Sequence, residues 1–166
     1  MKQLLILSGK GGTGKTTIAS AFIRLAQAKA YADCDVDAPN LHLVMAPFPN
    51  EKITDYHGLD KAVIDSSRCT NCGICLDNCR FHAIKLQDGQ HIVDPIACEG
   101  CTLCAFLCPE KAITMVQAKA GELKLYSNKD EHFSTATLSM GSGTTGLLVT
   151  QVKNQLKEVA GETEFA

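Results

Sequence analysis

Cys69-Thr70-Asn71-Cys72-Gly73-Ile74-Cys75-Leu76-Asp77-Asn78-Cys79 has the spacing C-x2-C-x2-C-x3-C, and Cys98-Glu99-Gly100-Cys101-Thr102-Leu103-Cys104-Ala105-Phe106-Leu107-Cys108-Pro109 repeats it 29 residues later. The repeat extends beyond the thiols. Val63-Ile64-Asp65 precedes the first run and Ile92-Val93-Asp94 the second, while Ala83-Ile84 and Ala112-Ile113 follow them. Each copy reads as short strand, cysteine loop, short helix, short strand, which predicts a pseudo-symmetric module over residues 58–118. These runs hold eight of the nine cysteines; Cys34 stands apart and reads as a small buried residue. The N-terminus lacks the apolar stretch of a secretory signal, so a reducing cytoplasmic setting is expected, where clustered thiols point to metal before disulfides. Structural zinc usually takes two separated C-x2-C pairs per ion. A third cysteine two residues further on, in both copies, suits a four-iron cluster better. Arg80 follows Cys79 where Pro109 follows Cys108; it reads as a solvated arginine, or as a charge able to shift a cluster's potential.

The double run resembles that of bacterial ferredoxins with two [4Fe–4S] clusters. Three closely spaced thiolates wrap one cubane, and the fourth cysteine, carried away by the following helix, ligates the other. One cluster is then expected on Cys69, Cys72, Cys75 and Cys108, the other on Cys98, Cys101, Cys104 and Cys79. Each oxidised cubane with four thiolates carries about −2, so the loaded chain is expected near −6 rather than its formal −2.

The N-terminal part carries a second pattern. Leu4-Leu5-Ile6-Leu7 predicts a short strand buried on both faces. Gly9-Lys10-Gly11-Gly12-Thr13-Gly14-Lys15-Thr16 matches G-x-x-x-x-G-K-[ST] in full, and a helix is predicted over Lys15–Lys29. Ala30-Tyr31-Ala32 predicts a second strand, ending in Asp33-Cys34-Asp35-Val36-Asp37. Strand, glycine loop, helix, strand is the opening of a βαβ unit. In such a loop backbone N–H groups turn inward on phosphate oxygens at a helix N-terminus. Gly9, Lys10, Gly11, Gly12, Thr13, Gly14, Lys15, Thr16 and Thr17 are therefore the candidate ATP-binding residues. Lys15 would reach the β- and γ-phosphates, and the Thr16 hydroxyl would ligate Mg²⁺. The extra lysine resembles the deviant phosphate loop of MinD-like P-loop ATPases. That resemblance implies that Lys10 reaches across a homodimer to the partner's ATP and that Asp35 positions the attacking water. Asp33 and Asp37 are weaker candidates.

Together the motifs resemble a MinD-superfamily ATPase carrying an inserted ferredoxin domain. The fold class expected is α/β: an incomplete, doubly wound parallel P-loop sheet over 1–57 and 119–166, with the α+β ferredoxin insert at 58–118. Strands are expected over 122–126 and 132–138, and a helix through Leu148, Val152, Leu156 and Val159. The family continues past residue 166, so a C-terminally truncated member is expected. Gly141-Ser142-Gly143-Thr144-Thr145-Gly146 reads as a flexible connector. The resemblance implies ATP hydrolysis coupled to electron transfer or cluster delivery. The alternative is a ferredoxin-type electron carrier whose nucleotide-binding half is vestigial. Partners expected are nucleotide, a second copy and a redox partner or cluster client. A net charge of −2 gives no basic excess for nucleic acid, and no run of 18 apolar residues predicts a membrane span. His42, His57, His82, His91 and His132 show no metal spacing and read as surface or loop residues.

Overall fold

A computed structural model describes residues 3–45 and 48–161. The chain divides into two compact units. The first comprises Met1–Tyr56, Gly121–Leu138 and Thr145–Ala166, the second His57–Ala120 and Ser139–Thr144. The architecture is mixed α/β.

In the first unit, helix α1 (Lys15–Ala26) leads into strand β1 (Ala30–Asp33). Gln27 closes α1 in the left-handed region, a common helix terminator. A four-stranded sheet has the order β1-β8-β7-β2, with β2 at Asn50–His57, β7 at Lys119–Ser127 and β8 at His132–Leu138. Strand β8 runs parallel to β1 and antiparallel to β7. The sheet is therefore mixed, which corrects the expectation of a doubly wound parallel sheet. Helix α4 (Thr145–Val159) buries Leu148, Val152 and Leu156, the stripe expected from their spacing, against β8 and β1. On the other face Tyr31, Phe133 and Tyr126 stack in series, with ring centroids 5.2 and 5.5 Å apart, and Phe48 tilts against all three.

The expected first strand is absent. Residues 3–8 have no regular structure, and Leu4, Leu5 and Leu7 are 58, 75 and 79% exposed. A strand buried on both faces needs ladder partners. Strand β1 has its partner in β8, and residues 3–8 join no ladder among the described residues.

The second unit carries the cysteine runs. Strand β3 (Lys61–Ile64), helix α2 (Ile74–Asp77) and strand β4 (Ile84–Gln87) form the first copy. Strand β5 (Gln90–Val93), helix α3 (Leu103–Leu107) and strand β6 (Ile113–Val116) form the second. Each copy's first strand pairs with the other copy's last. Lys61 lies opposite Val116 and Ile64 opposite Ile113, while Gln90 lies opposite Gln87 and Val93 opposite Ile84. The two registers superpose under the 29-residue shift. Backbone conformation follows the same symmetry: Asn71 and Gly100, Gly73 and Thr102, and His82 and Lys111 all have positive φ, between 47° and 79°. The core is small, built on Ala62, Cys75, Ala83, Ile84, Cys98 and Ile113.

The glycine-rich loop at 141–146 is not a loose connector where it meets this unit. A Cβ on Gly141 would lie 2.5 Å from the Ile96 side chain, and one on Gly143 would lie 2.7 Å from a Glu99 carboxylate oxygen. At Gly141 that packing and a φ of 78° require glycine, whereas the Glu99 side chain beside Gly143 can swing aside.

Candidate metal centre

The spacing C-x2-C-x2-C forces the backbone to reverse twice around one point. Asn71 and Gly73, and Gly100 and Thr102, supply the turns from the left-handed region. The entry is pinned alike in both copies. Cys69 N–H donates to the Asp65 carbonyl and Cys98 N–H to the Asp94 carbonyl, both at 3.0 Å. The Asp94 carboxylate caps its turn by accepting from the Ile96 N–H at 3.0 Å, and the Asp65 carboxylate accepts from the Ser67 N–H at 2.9 Å.

Two cavities result. Cys69, Cys72, Cys75 and Cys108 line one. Cys79, Cys98, Cys101 and Cys104 line the other. Each cavity thus receives three thiols from one copy and a fourth from the other. Ile64, Ala112 and Ile113 wall the first, and Val93, Ala83 and Ile84 wall the second. The four thiols lining each cavity are the all-thiolate donor set that [4Fe–4S] clusters take.

The fourth cysteine of each run sits beyond its short helix. Cys79 Sγ accepts the Ala83 N–H and Cys108 Sγ the Ala112 N–H, each at 3.3 Å. Each N–H is thus directed at a sulfur, the placement that tunes a bound iron–sulfur cluster. Burial acts on Cys75 and Cys104, pushing their free thiols above the ordinary range. Arg80 is exposed. Lys61 Nζ donates to the Cys98 carbonyl.

His91 corrects the reading of the histidines as surface or loop residues. It lies on β5, is 7% exposed and lines the first cavity. Its Nδ1 lies 3.1 Å from Asn71 Oδ1. The repeat places His91 at the position that the buried Ala62 holds on β3.

The phosphate-loop residues lie in the other unit. Gly9, Lys10, Gly11, Gly12, Thr13, Gly14 and Thr17 are exposed. Lys15 Nζ donates to Asp35 Oδ2 at 2.7 Å, and this bond raises the Lys15 pKa. Thr16 Oγ1 donates to Asn40 Oδ1 at 2.6 Å. The cation and hydroxyl expected to meet phosphate and Mg²⁺ are thus paired within the chain. Asp33 is an anchor rather than a reactive group: its carboxylate accepts the N–H groups of Asp35, Asn40 and Leu41, all at 3.0 Å. Cys34, expected to be buried, is exposed. Residues 3–8, α1 and β1 line a cavity of about 730 Å³.

A family model for 4Fe–4S dicluster domains matches residues 62–115. A ferredoxin-like protein from the nif region of Sinorhizobium fredii is 36% identical over 52 residues, covering 28% of this chain and 81% of that protein. The chain belongs to the dicluster ferredoxins. The pyruvate synthase subunit PorD of Methanothermobacter marburgensis is 37% identical over 59 residues, 36% of this chain and 69% of that subunit. An uncharacterised protein of Methanocaldococcus jannaschii is 38% identical over 101 residues, 59% of this chain, and the match spans only 34% of that longer relative. The ferredoxin match overturns the expectation of ATP hydrolysis coupled to the clusters. The relatives with printed functions are ferredoxin-type proteins and oxidoreductase subunits, and the family model leaves residues 9–17 outside its span. Among the described residues no helix is long and apolar enough to cross a membrane.

Proposed function

We propose that this chain is a one-electron carrier holding two [4Fe–4S] clusters, one on Cys69, Cys72, Cys75 and Cys108, the other on Cys98, Cys101, Cys104 and Cys79. The observation that carries the reading is the pair of symmetry-related cavities, each lined by four thiols drawn from both copies. Bound there, the clusters supply reversible one-electron redox chemistry. The protein's part is to fix eight thiolates, shield the clusters with Ile64, Ile84, Val93 and Ile113, and stabilise the sulfurs by the N–H groups of Ala83 and Ala112. Both clusters lie in one small unit, which suits electron passage from one to the other. The client is an oxidoreductase, the role suggested by the likeness to a pyruvate synthase subunit.

The N-terminal half is read as a vestigial nucleotide site. Support comes from the internal pairing of Lys15 with Asp35 and Thr16 with Asn40. Phosphate would have to compete with Asp35 for the Lys15 ammonium, at the cost of a charge-assisted bond.

The test is anaerobic reconstitution of the full chain, followed by iron and sulfide analysis and reductive titration. About eight irons per chain and uptake of about two electrons are expected. Adding ATP and Mg²⁺ should leave the titration unchanged. A colourless, zinc-loaded protein that takes up no electrons would overturn the reading.

A further inference from the structure

The repeat makes each cluster cavity a control for the other. Strand registers, positive-φ positions and sulfur-directed N–H groups all recur at the 29-residue shift. A glutamate lines each cavity and a cation stands nearby. Glu110 lines the first cavity, and Arg68 donates to the Glu110 carbonyl; Glu99 lines the second, and Lys61 donates to the Cys98 carbonyl. Among the side-chain pairs without a counterpart, one holds a buried side chain. His91, buried on β5, bonds Asn71 inside the first cysteine loop, whereas the matching positions hold Ala62 and Gly100, which can make no such bond.

We infer that the His91–Asn71 pair makes the two clusters electronically unequal, so that the one on Cys69, Cys72, Cys75 and Cys108 is reduced first. The inference rests on the two-cluster reading above. Asn71 Oδ1 only accepts, so His91 presents Nδ1–H to it. That places an imidazole ring, with its N–H dipole, beside a cluster that gains negative charge on reduction. The other cavity offers the Ala62 methyl at the same place. Dipoles whose positive ends face a cluster favour its reduced state and raise its potential, and the bond to Asn71 fixes how the ring is turned beside the cavity. The ring is buried, whereas Arg68, Arg80 and Glu110 are exposed and screened by water, and Lys61 and Glu99 are half-buried. His91 is thus a positioning and tuning residue that directs an electron to the first cluster.

The experiment measures both midpoint potentials on the anaerobically reconstituted full chain, by voltammetry or EPR-monitored titration, after iron is counted. Two resolved potentials are expected in the wild type. His91→Ala should lower the higher one by several-fold to about tenfold in the reduction constant, tenfold being about 59 mV for one electron, and leave the lower one in place. Asn71→Gly installs the residue that the second loop carries at Gly100, at a φ of 56° that glycine accepts. It should move the same potential the same way, by less. His91→Gln, which keeps an N–H donor, should retain most of the separation. Equal wild-type potentials overturn the inference. So does a fully loaded His91→Ala chain with both potentials unchanged, or with only the lower one moved. If His91→Ala fails to hold a full iron complement, Asn71→Gly decides alone: a lowered upper potential supports the inference and an unchanged one overturns it. A wild-type chain that holds no second cluster is a different result, since it overturns the two-cluster function itself.

Discussion

Thr102 occupies a backbone conformation that its side chain resists. Its φ of 65° is set by the turn before α3, and the matching position in the first copy is Gly73 at 79°. A β-branched residue in the left-handed region costs roughly 1–2 kcal/mol. No side-chain capping bond offsets this at Thr102. Thr102→Gly should therefore stabilise the loaded protein by about 1 kcal/mol, less the added freedom of the unfolded glycine, and thermal melts should show a higher Tm. A second residue-scale effect lies at Asp94. The Lys85 ammonium at 3.0 Å, joined by the N–H groups of Ala97 and Ile96, holds its carboxyl below the usual range. A depressed carboxyl stabilises the fold above its unfolded pKa of about 3.9, and that contribution disappears as pH falls through the folded value. Asp94→Asn should thus melt below wild type at about pH 7, and the gap should narrow below about pH 4. An unchanged gap would show that Asp94 acts only as a turn cap.

The loop elements that carry the thiols tolerate little change of shape. A Cβ on Gly100 would come within 2.4 Å of the Asp60 carbonyl, at a φ of 67°. Gly100→Ala combines strain with a backbone clash, a class of change that costs several kcal/mol where nothing can move. The expected outcome is a chain that assembles the Cys98–Cys101–Cys104 cluster poorly, read as about half the wild-type iron. The cysteine elements were legible because thiol spacing is a direct record of metal geometry, and the period carried the strands and helices with it. Helix α4 was legible for an equally local reason, its i, i+4 apolar stripe at Leu148, Val152 and Leu156. Two elements were not. Strand β2 is charged and exposed except at Tyr56, so no alternation marks it. Leu4–Leu7 has strand chemistry but joins no ladder, since strand formation depends on a neighbour that local sequence cannot specify. The phosphate-loop match was complete in residue types, yet the Lys15–Asp35 and Thr16–Asn40 pairs depend on a turn 20 to 24 residues away. His91 was missed for the same reason: its burial is a property of the folded repeat.

At the scale of the molecule, the two units differ in what holds them. The first has its own core: a connected cluster of four aromatic rings on one face of the sheet and the apolar stripe of α4 on the other. The second has two alanines, two isoleucines and two cysteines at the centre of its interior. Those side chains bury little apolar area, and a unit of that size rarely folds on so little without a metal or crosslinks. Its free thiols are also protonated at neutral pH where burial raises them, as at Cys75 and Cys104, and iron loading must displace those protons. Cluster binding energy is then folding energy for this unit alone. Removing iron from the anaerobic full chain with a chelator should abolish amide hydrogen-exchange protection over β3 to β6, residues 61–116, while β8 and α4 stay protected. Loading should also proceed faster as pH rises from about 7 to about 9, because more of the buried thiols reach the thiolate form. Protection retained across β3–β6 in the iron-free chain would show that the alanine and isoleucine core suffices, and that the clusters are guests in a fold they do not hold together.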